Sequence, residues 1–283
     1  MRYCGREFTD QEIDWIRNRI ATTKGINRAR LSASFCEQFG WRKPDGGLKD
    51  MSCRVAFLKM HRAGLITLPP TQKPFNRARK HTERSLFTQP KPPVEKKAGD
   101  FNLHCEVIEG GAGKLWNEFI DRYHYLGYTP LAGAQLRYFI KEADEILALL
   151  SFSAAAWNTA PRDRFIGWDK DKRKKNLHLV VNNSRFLLLP WVRSKNLASR
   201  ILSLVCSKLP EDWHHRYGYR PVLAETFVEK ERFSGTCYKA ANWICVGETR
   251  GRGKMDRYNT FSQPVKTIWL YPLTQRYTER LWA

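Results

Sequence analysis

Residues 71–98, TQKPFNRARKHTERSLFTQPKPPVEKKA, place proline at 74, 90, 92 and 93 and carry no apolar periodicity. Proline removes a backbone donor and fixes φ, so no regular element and no continuous core is expected to run through such a stretch. The sequence therefore predicts two modules, 1–70 and 99–283, joined by a stiff polyproline-like linker at 71–98. Eight Lys or Arg against Glu83 and Glu95 give that linker a charge of +6, with Arg77, Arg79 and Lys80 clustered.

The first module reads as helical. Thr9 followed by Glu12 forms a capping box ahead of Ile13, Ile16 and Ile20. Asn27 caps a second helix carrying Ala29, Leu31, Phe35 and Phe39, and the turn cluster WRKPDGGLKD follows. A third helix is expected from about Lys49 to His61, with Met51, Val55 and Leu58 as its buried side and Gly64 as its stop. Leu65, Ile66 and Leu68 read as a short strand, which makes the module winged-helix-like. Lys49, Arg54, Lys59 and Arg62 are then the residues expected to face nucleic acid, or else ordinary solvated positions.

The second module alternates strands and helices after an early hairpin: strands at 103–108, 135–140, 146–153, 184–189, 222–228, 244–248 and 266–270, and helices at 114–123, 197–209 and 236–242. That order indicates an α+β or mixed-sheet α/β domain. Its stretch 156–177 contains Arg162, Asp163, Arg164, Trp168, Lys172, Arg173, Lys174 and Lys175. It reads either as a loop wrapping nucleic acid, with Trp168 stacking on bases, or as a solvated charge run. Asp163, between two arginines, is an ion-pair partner or alternatively a metal or acid–base carboxylate. Glu225, inside an otherwise apolar strand, is a general-base candidate or a satisfied structural carboxylate. Tyr238 and Lys239 sit nearby on a short helix, with Asn242 expected to share the Tyr238 face. The run GETRGRGK puts Arg250, Arg252, Lys254 and Arg257 in or just after a glycine-rich loop suited to phosphate contact, or a plain solvated hairpin loop.

Charge decides which function classes remain. Lys plus Arg number 49 and Asp plus Glu 28, a net +21 that calls for a polyanionic partner, DNA or RNA. No apolar run of about 18 residues argues for a membrane span. The first residues, MRYCGREFTDQEIDW, lack a secretory h-region, and seven cysteines without CxxC spacing fit a reducing, cytoplasmic setting.

The blocks RDRFIGW (162–168), RFLLLPWV (185–192), NLASRIL (196–202), ETFV (225–228), GTCYKAANW (235–243) and GETRGRGK (247–254) resemble the Druantia DruA family, formerly a domain of unknown function. SCRVAFLKMHRAGLITLPP (52–70) and YHYLGYTPLAGAQLRY (123–138) agree with it. The resemblance implies a role in bacterial anti-phage defence, or an association with transposases, with a helicase or transposase as partner. A weaker resemblance, from the strand–helix order of 185–248, is to the GCN5-related N-acetyltransferases. It implies an acetyltransferase-like fold and a pyrophosphate loop at Arg193–Ala198. Arg193 and Ala198 match that loop, but Asn196 replaces its first glycine, which argues against acetyl-CoA. The leading expectation is a DNA-binding component that grips the phosphate backbone. The alternatives are a nuclease holding a divalent metal such as Mg on Asp163 and Glu225, an acetyl-CoA-dependent N-acyltransferase, and an assembly factor. Whether the chain is an enzyme stays open at this point.

Overall fold

The computed structural model describes residues 1–44, 46–70, 85–251 and 263–283. They fall into two compact units, Met1–Thr82 and Glu83–Ala283.

The first unit opens with a minimal hairpin, β1 (Arg2–Tyr3) and β2 (Arg6–Glu7), followed by α1 (Asp10–Thr22), α2 (Arg28–Gln38) and α3 (Asp50–Arg62). The capping box forms as the spacing requires: the Glu12 N–H donates to Thr9 Oγ1 at 3.2 Å and the Thr9 N–H to Glu12 Oε2 at 3.1 Å. Asn27 caps α2 by accepting from the Arg30 N–H at 2.8 Å. The core face of α3 differs from expectation. Cys53, Ala56, Phe57 and Met60 are buried, whereas Met51 is 59% exposed and Val55 45%. Both stripes have helical spacing. The small Cys53 and Ala56 let α3 approach α2, and Phe57 then meets Phe35 edge-on at 5.3 Å. Residues 66–70 form no strand. Ile66 and Leu68 are buried, and His61 Nδ1 accepts the Leu68 N–H, so the segment packs back on α3 without a sheet partner. The wing expected there is absent.

Residues 85–98, expected to be linker, are fastened to the second unit. Ser85 N–H and Thr88 Oγ1 both donate to Glu118 Oε1 at 2.6 Å, and Tyr123 OH donates to Thr88 O at 2.6 Å. Further on, β3 (Val94–Glu95) pairs in parallel with β8 (Val192–Arg193). Proline-rich backbone still offers carbonyls and a few N–H groups, and here they find partners.

The remaining strands of this unit are β4 (His104–Val107), β5 (Gln135–Glu142), β6 (Glu145–Ala154), β7 (Val180–Leu188), β9 (Leu223–Glu229), β10 (Ile244–Glu248) and β11 (Lys266–Pro272). They form one seven-stranded sheet in the order β10-β11-β9-β7-β6-β5-β4. Every pair is antiparallel except β7 and β9, joined by the long helix α7 (Leu197–Tyr217). This is the mixed-sheet α/β architecture that the element order implied. The parallel pair is short, running only from Val180–Leu223 to Asn182–Glu225. Beyond it the two strands part, and a wedge opens in the sheet.

Helices α4 (Ala112–Tyr123), α5 (Ala160–Ile166), α6 (Lys170–Asn176), α8 (Thr236–Ala240) and α9 (Tyr277–Trp282) complete the unit. Adjacent residues of a strand point to opposite faces. Leu223 accordingly joins a cluster with Ile166, Trp168 and Leu281 from α5, the turn after it and α9, while Ala224 joins the larger core that holds Tyr238 and α7. Among the described residues no helix is long and apolar enough to cross a membrane.

Candidate functional site

The charged run at 162–175 folds into two short helices rather than a loop. Pro161 stands in the first turn of α5, and Gly167 ends that helix at φ +80°. The Asp169 carboxylate then caps α6 by accepting from the N–H groups of Asp171 and Lys172. Neutral periodicity is hidden here by charge, but the caps were present in the sequence.

These helices bury part of the charge. Arg162 and Glu225 are both 0% exposed. Arg162 Nη1 donates to Glu225 Oε2 at 2.9 Å and to Ala156 O at 2.8 Å, while its Nε and Nη2 reach Asp163 Oδ1 at 2.9 and 2.7 Å. Glu225 Oε1 accepts the Ala156 N–H at 2.8 Å. Arg173 closes the network on Asp163 Oδ2 at 2.8 Å and also reaches Asn158. Burial pushes the Glu225 carboxyl up from the usual range, opposed by the Arg162 guanidinium and the Ala156 N–H. The two carboxylates expected to share a metal are thus brought together, but a guanidinium sits between them. Among the described residues, no group of three or more His, Cys, Asp or Glu converges as a metal site. Arg162 and Arg173 are therefore internal counter-charges rather than phosphate contacts. Trp168 is buried as well, its Nε1–H donating to Leu281 O at 2.7 Å, so it is not a stacking platform.

Tyr238 does not join that network. Glu225 and Thr226 point to opposite faces of β9, and Tyr238 lies on the Thr226 side. Its OH donates to Asn183 Oδ1 at 2.8 Å, and burial pushes its phenol up, keeping it protonated. Lys239 is exposed, and Asn242 lies beyond the end of α8 at φ +62°. The expected cluster of Glu225, Tyr238 and Lys239 is thus divided by the sheet.

Tyr238 instead forms part of the floor of the wedge between β7 and β9, a cleft of about 600 Å³. Arg185 and Asn183 line it from β7, His124 and Tyr125 from the chain after α4, and Arg232 and Phe233 from the turn after β9. Sequence reasoning missed these residues. The available signal was the polar interruption Asn182-Asn183-Ser184 inside the apolar run from Val180 to Leu189. Gly235 holds the cleft wall: at φ +73°, a Cβ there would lie 2.7 Å from the Trp269 ring. Gly235→Ala is expected to destabilise the protein by about 2–4 kcal/mol, through left-handed strain plus overpacking, measured as a lower urea midpoint at unchanged m-value.

The other expected contacts divide by exposure. Arg54 is half-buried and bonded to Asp50, Lys49 is half-buried, and Lys172 lies over the Trp282 ring at 4.4 Å. Lys175 donates to the Ala283 carbonyl. Lys59, Arg62, Arg164, Lys174 and Arg250 are exposed, and no acid pairs with them among the described residues. Arg77, Arg79, Lys80, Arg252, Lys254 and Arg257 lie outside the described residues. Ahead of α7, Arg193 lies 3.7 Å from Glu95, and Asn196 stands at the N-cap position with a left-handed φ of +67° and no side-chain capping bond. Residues 95–99 line the same shallow depression as Arg193 and Asn196, with Ala198 in the first turn beyond.

A family model described as Druantia protein DruA matches residues 61–281. No curated protein matches the chain. Among solved structures, the ribosomal-protein-S18-alanine N-acetyltransferase of Escherichia coli is similar at 8% identity and a TM-score of 0.38, covering 61% of this chain and 94% of its own. An N-acetyltransferase of Staphylococcus aureus Mu50 is similar at 6% identity and a TM-score of 0.37, covering 60% and 97%. An aminoglycoside acetyltransferase solved with coenzyme A is similar at 12% identity and 0.40, covering 63% and 98%.

Proposed function

The chain belongs to the Druantia protein DruA family, and from that premise we propose that it is a DNA-binding component of a bacterial anti-phage defence or transposon-associated system that grips the phosphate backbone. One observation carries the reading: folding sorts the cations of the 162–175 run. Those with acid partners, Arg162 and Arg173, turn inward, while Arg164, Lys170 and Lys174 stay exposed and unpaired with any acid among the described residues. Exposed cations without partners are free to displace counterions from a polyanion. Helix α5 packs on β10, and a Cβ at Gly247 would lie 3.2 Å from Pro161 Cβ, so the strand end leading to Arg250 adjoins the same region.

The test is the affinity of the full chain for duplexes of several unrelated sequences, compared with the double variant Arg164→Glu/Arg250→Glu. Loss of two phosphate contacts is expected to weaken every duplex by on the order of tenfold or more and to lower the salt slope by about 2. Unchanged affinity removes this region from the footprint. A loss confined to one sequence replaces backbone contact with base reading.

A further inference from the structure

We propose that the wedge between β7 and β9 is a binding site for a single unstacked nucleotide, with the base on the Tyr125–Phe233 pair and the phosphate on Arg185. The proposal rests on the nucleic-acid reading only for the source of the nucleotide; the cleft is lined by none of the residues of the basic region.

The cleft volume of about 600 Å³ falls within the range of roughly 300–1,000 Å³ typical of small-ligand sites. Its mouth is aromatic. Tyr125 and Phe233, 40% and 47% exposed, touch at 5.2 Å between ring centroids, and Leu126 beside them is also exposed. Solvated rings gathered at the rim of a cleft suit a flat, partly apolar partner.

The interior is cationic. Arg185 is half-buried, yet its guanidinium donates only to the carbonyls of Ser184 and Gly127, with no carboxylate paired to it among the described residues. A cation withdrawn from water without a counter-charge is costly, and an anionic ligand would supply the missing partner. Arg232 adds a second guanidinium over the Tyr125 ring at 5.3 Å, its Nε held by Glu229 at 2.9 Å.

The polar groups inside can read a base edge. His124 Nδ1 accepts the Leu126 N–H at 3.2 Å, which leaves the ring proton on Nε2 as a donor. Burial and the neighbouring Arg185 push this histidine down to about 4, so it is neutral at physiological pH. Deeper in, Asn183 is fixed by four bonds: its Nδ2 donates to the carbonyls of Ser151 and Arg185, its Oδ1 accepts from Tyr238 OH, and its backbone carbonyl accepts from Thr226 Oγ1. That rigid floor sets the depth of the cleft. A donor edge, a cationic wall and an aromatic rim match a nucleoside monophosphate better than a purely apolar ligand, for which the Arg185 guanidinium would remain uncompensated.

The test titrates the full chain with the four deoxynucleoside monophosphates, and separately with single strands carrying 2-aminopurine, using wild type, Phe233→Ala and Arg185→Gln. Phe233 is at the exposed rim, so its variant reports on stacking even if Arg185→Gln folds poorly; thermal unfolding of both checks this. Saturable binding of at least one mononucleotide by wild type is expected, weakened about 5- to 150-fold by Phe233→Ala, the range for one lost base–aromatic stack. Arg185→Gln should weaken it at least tenfold and flatten its salt dependence, with matching changes in 2-aminopurine fluorescence. Absent mononucleotide binding, equal affinity in Phe233→Ala and wild type, or acetyl-CoA bound in the cleft and not displaced by mononucleotides, each overturns the assignment. Duplex binding that persists without mononucleotide binding removes the pocket alone. Mononucleotide binding that persists in Arg164→Glu/Arg250→Glu after duplex binding is lost supports the pocket independently of the backbone contacts.

Discussion

Arg162→Met lowers the stability of the folded protein by about 3–5 kcal/mol at neutral pH, the usual effect of removing one partner from a buried ion pair. The reason is what remains. Glu225 is 0% exposed, and without Arg162 the Ala156 N–H is the one donor left to its carboxylate among the described residues. Asp163 keeps Arg173 as a partner, so the uncompensated charge falls mainly on Glu225. A buried carboxylate whose folded-state pKa lies above its unfolded value favours folding while protonated, and that advantage disappears as pH rises through the folded value. Burial already pushes Glu225 upward, and removing the opposing guanidinium pushes it further. The deficit of the variant relative to wild type is therefore smallest while Glu225 is protonated in both folded proteins, and it grows as pH rises through the wild-type folded value, which lies above the ordinary glutamate range. Urea unfolding at several pH values measures this. Adding Glu225→Gln to Arg162→Met should recover a large part of the loss at neutral pH, because the amide oxygen still accepts from Ala156 without carrying charge. A deficit below about 1 kcal/mol, or one independent of pH, would show that the network does not carry this part of the fold.

How far the sequence could be read depended on the range of each interaction. Thr9 with Glu12, and Asn27, cap helices through neighbours three residues away, and both caps formed as spacing predicts. The strands of the sheet were likewise legible from local apolar runs. Choices between two equivalent local patterns were not. On α3, the stripes 51/55/58 and 53/56/57/60 have the same period, and only packing against α2 selects the second. The charged run 162–175 looked solvated because nothing near it in sequence says that Glu225, 63 positions away, will meet Arg162. Trp168 is explained by Leu281, still further along the chain. The grouping of Glu225 with Tyr238 failed for a simpler reason: strand alternation separates Glu225 from Thr226, and Tyr238 sits with the latter. The wedge is the least local feature of all, since it arises where the β7–β9 pairing stops after Asn182.

On the proposed backbone contacts, raising salt from about 50 to 200 mM is expected to weaken duplex binding by about 100-fold through Arg164, Lys170, Lys174 and Arg250 alone, since each neutralised phosphate contributes about −0.9 to the slope of log affinity on log salt. Further contacts, including Lys59 and Arg62 in the first unit, steepen that loss. The fold itself has a different salt response. Exposed charges are screened over a Debye length of about 10 Å at 0.1 M, whereas the Arg162 network is withdrawn from solvent. Thermal unfolding should therefore change little over the same range in which affinity collapses, which separates lost contacts from lost structure. Fluorescence anisotropy across a salt series, paired with thermal melts, makes the comparison. A slope shallower than about −1 would mean that these cations do not meet phosphate, and backbone gripping would have to be abandoned. A steep slope that flattens by about 2 in Arg164→Glu/Arg250→Glu assigns the contacts to the region where α5 meets β10.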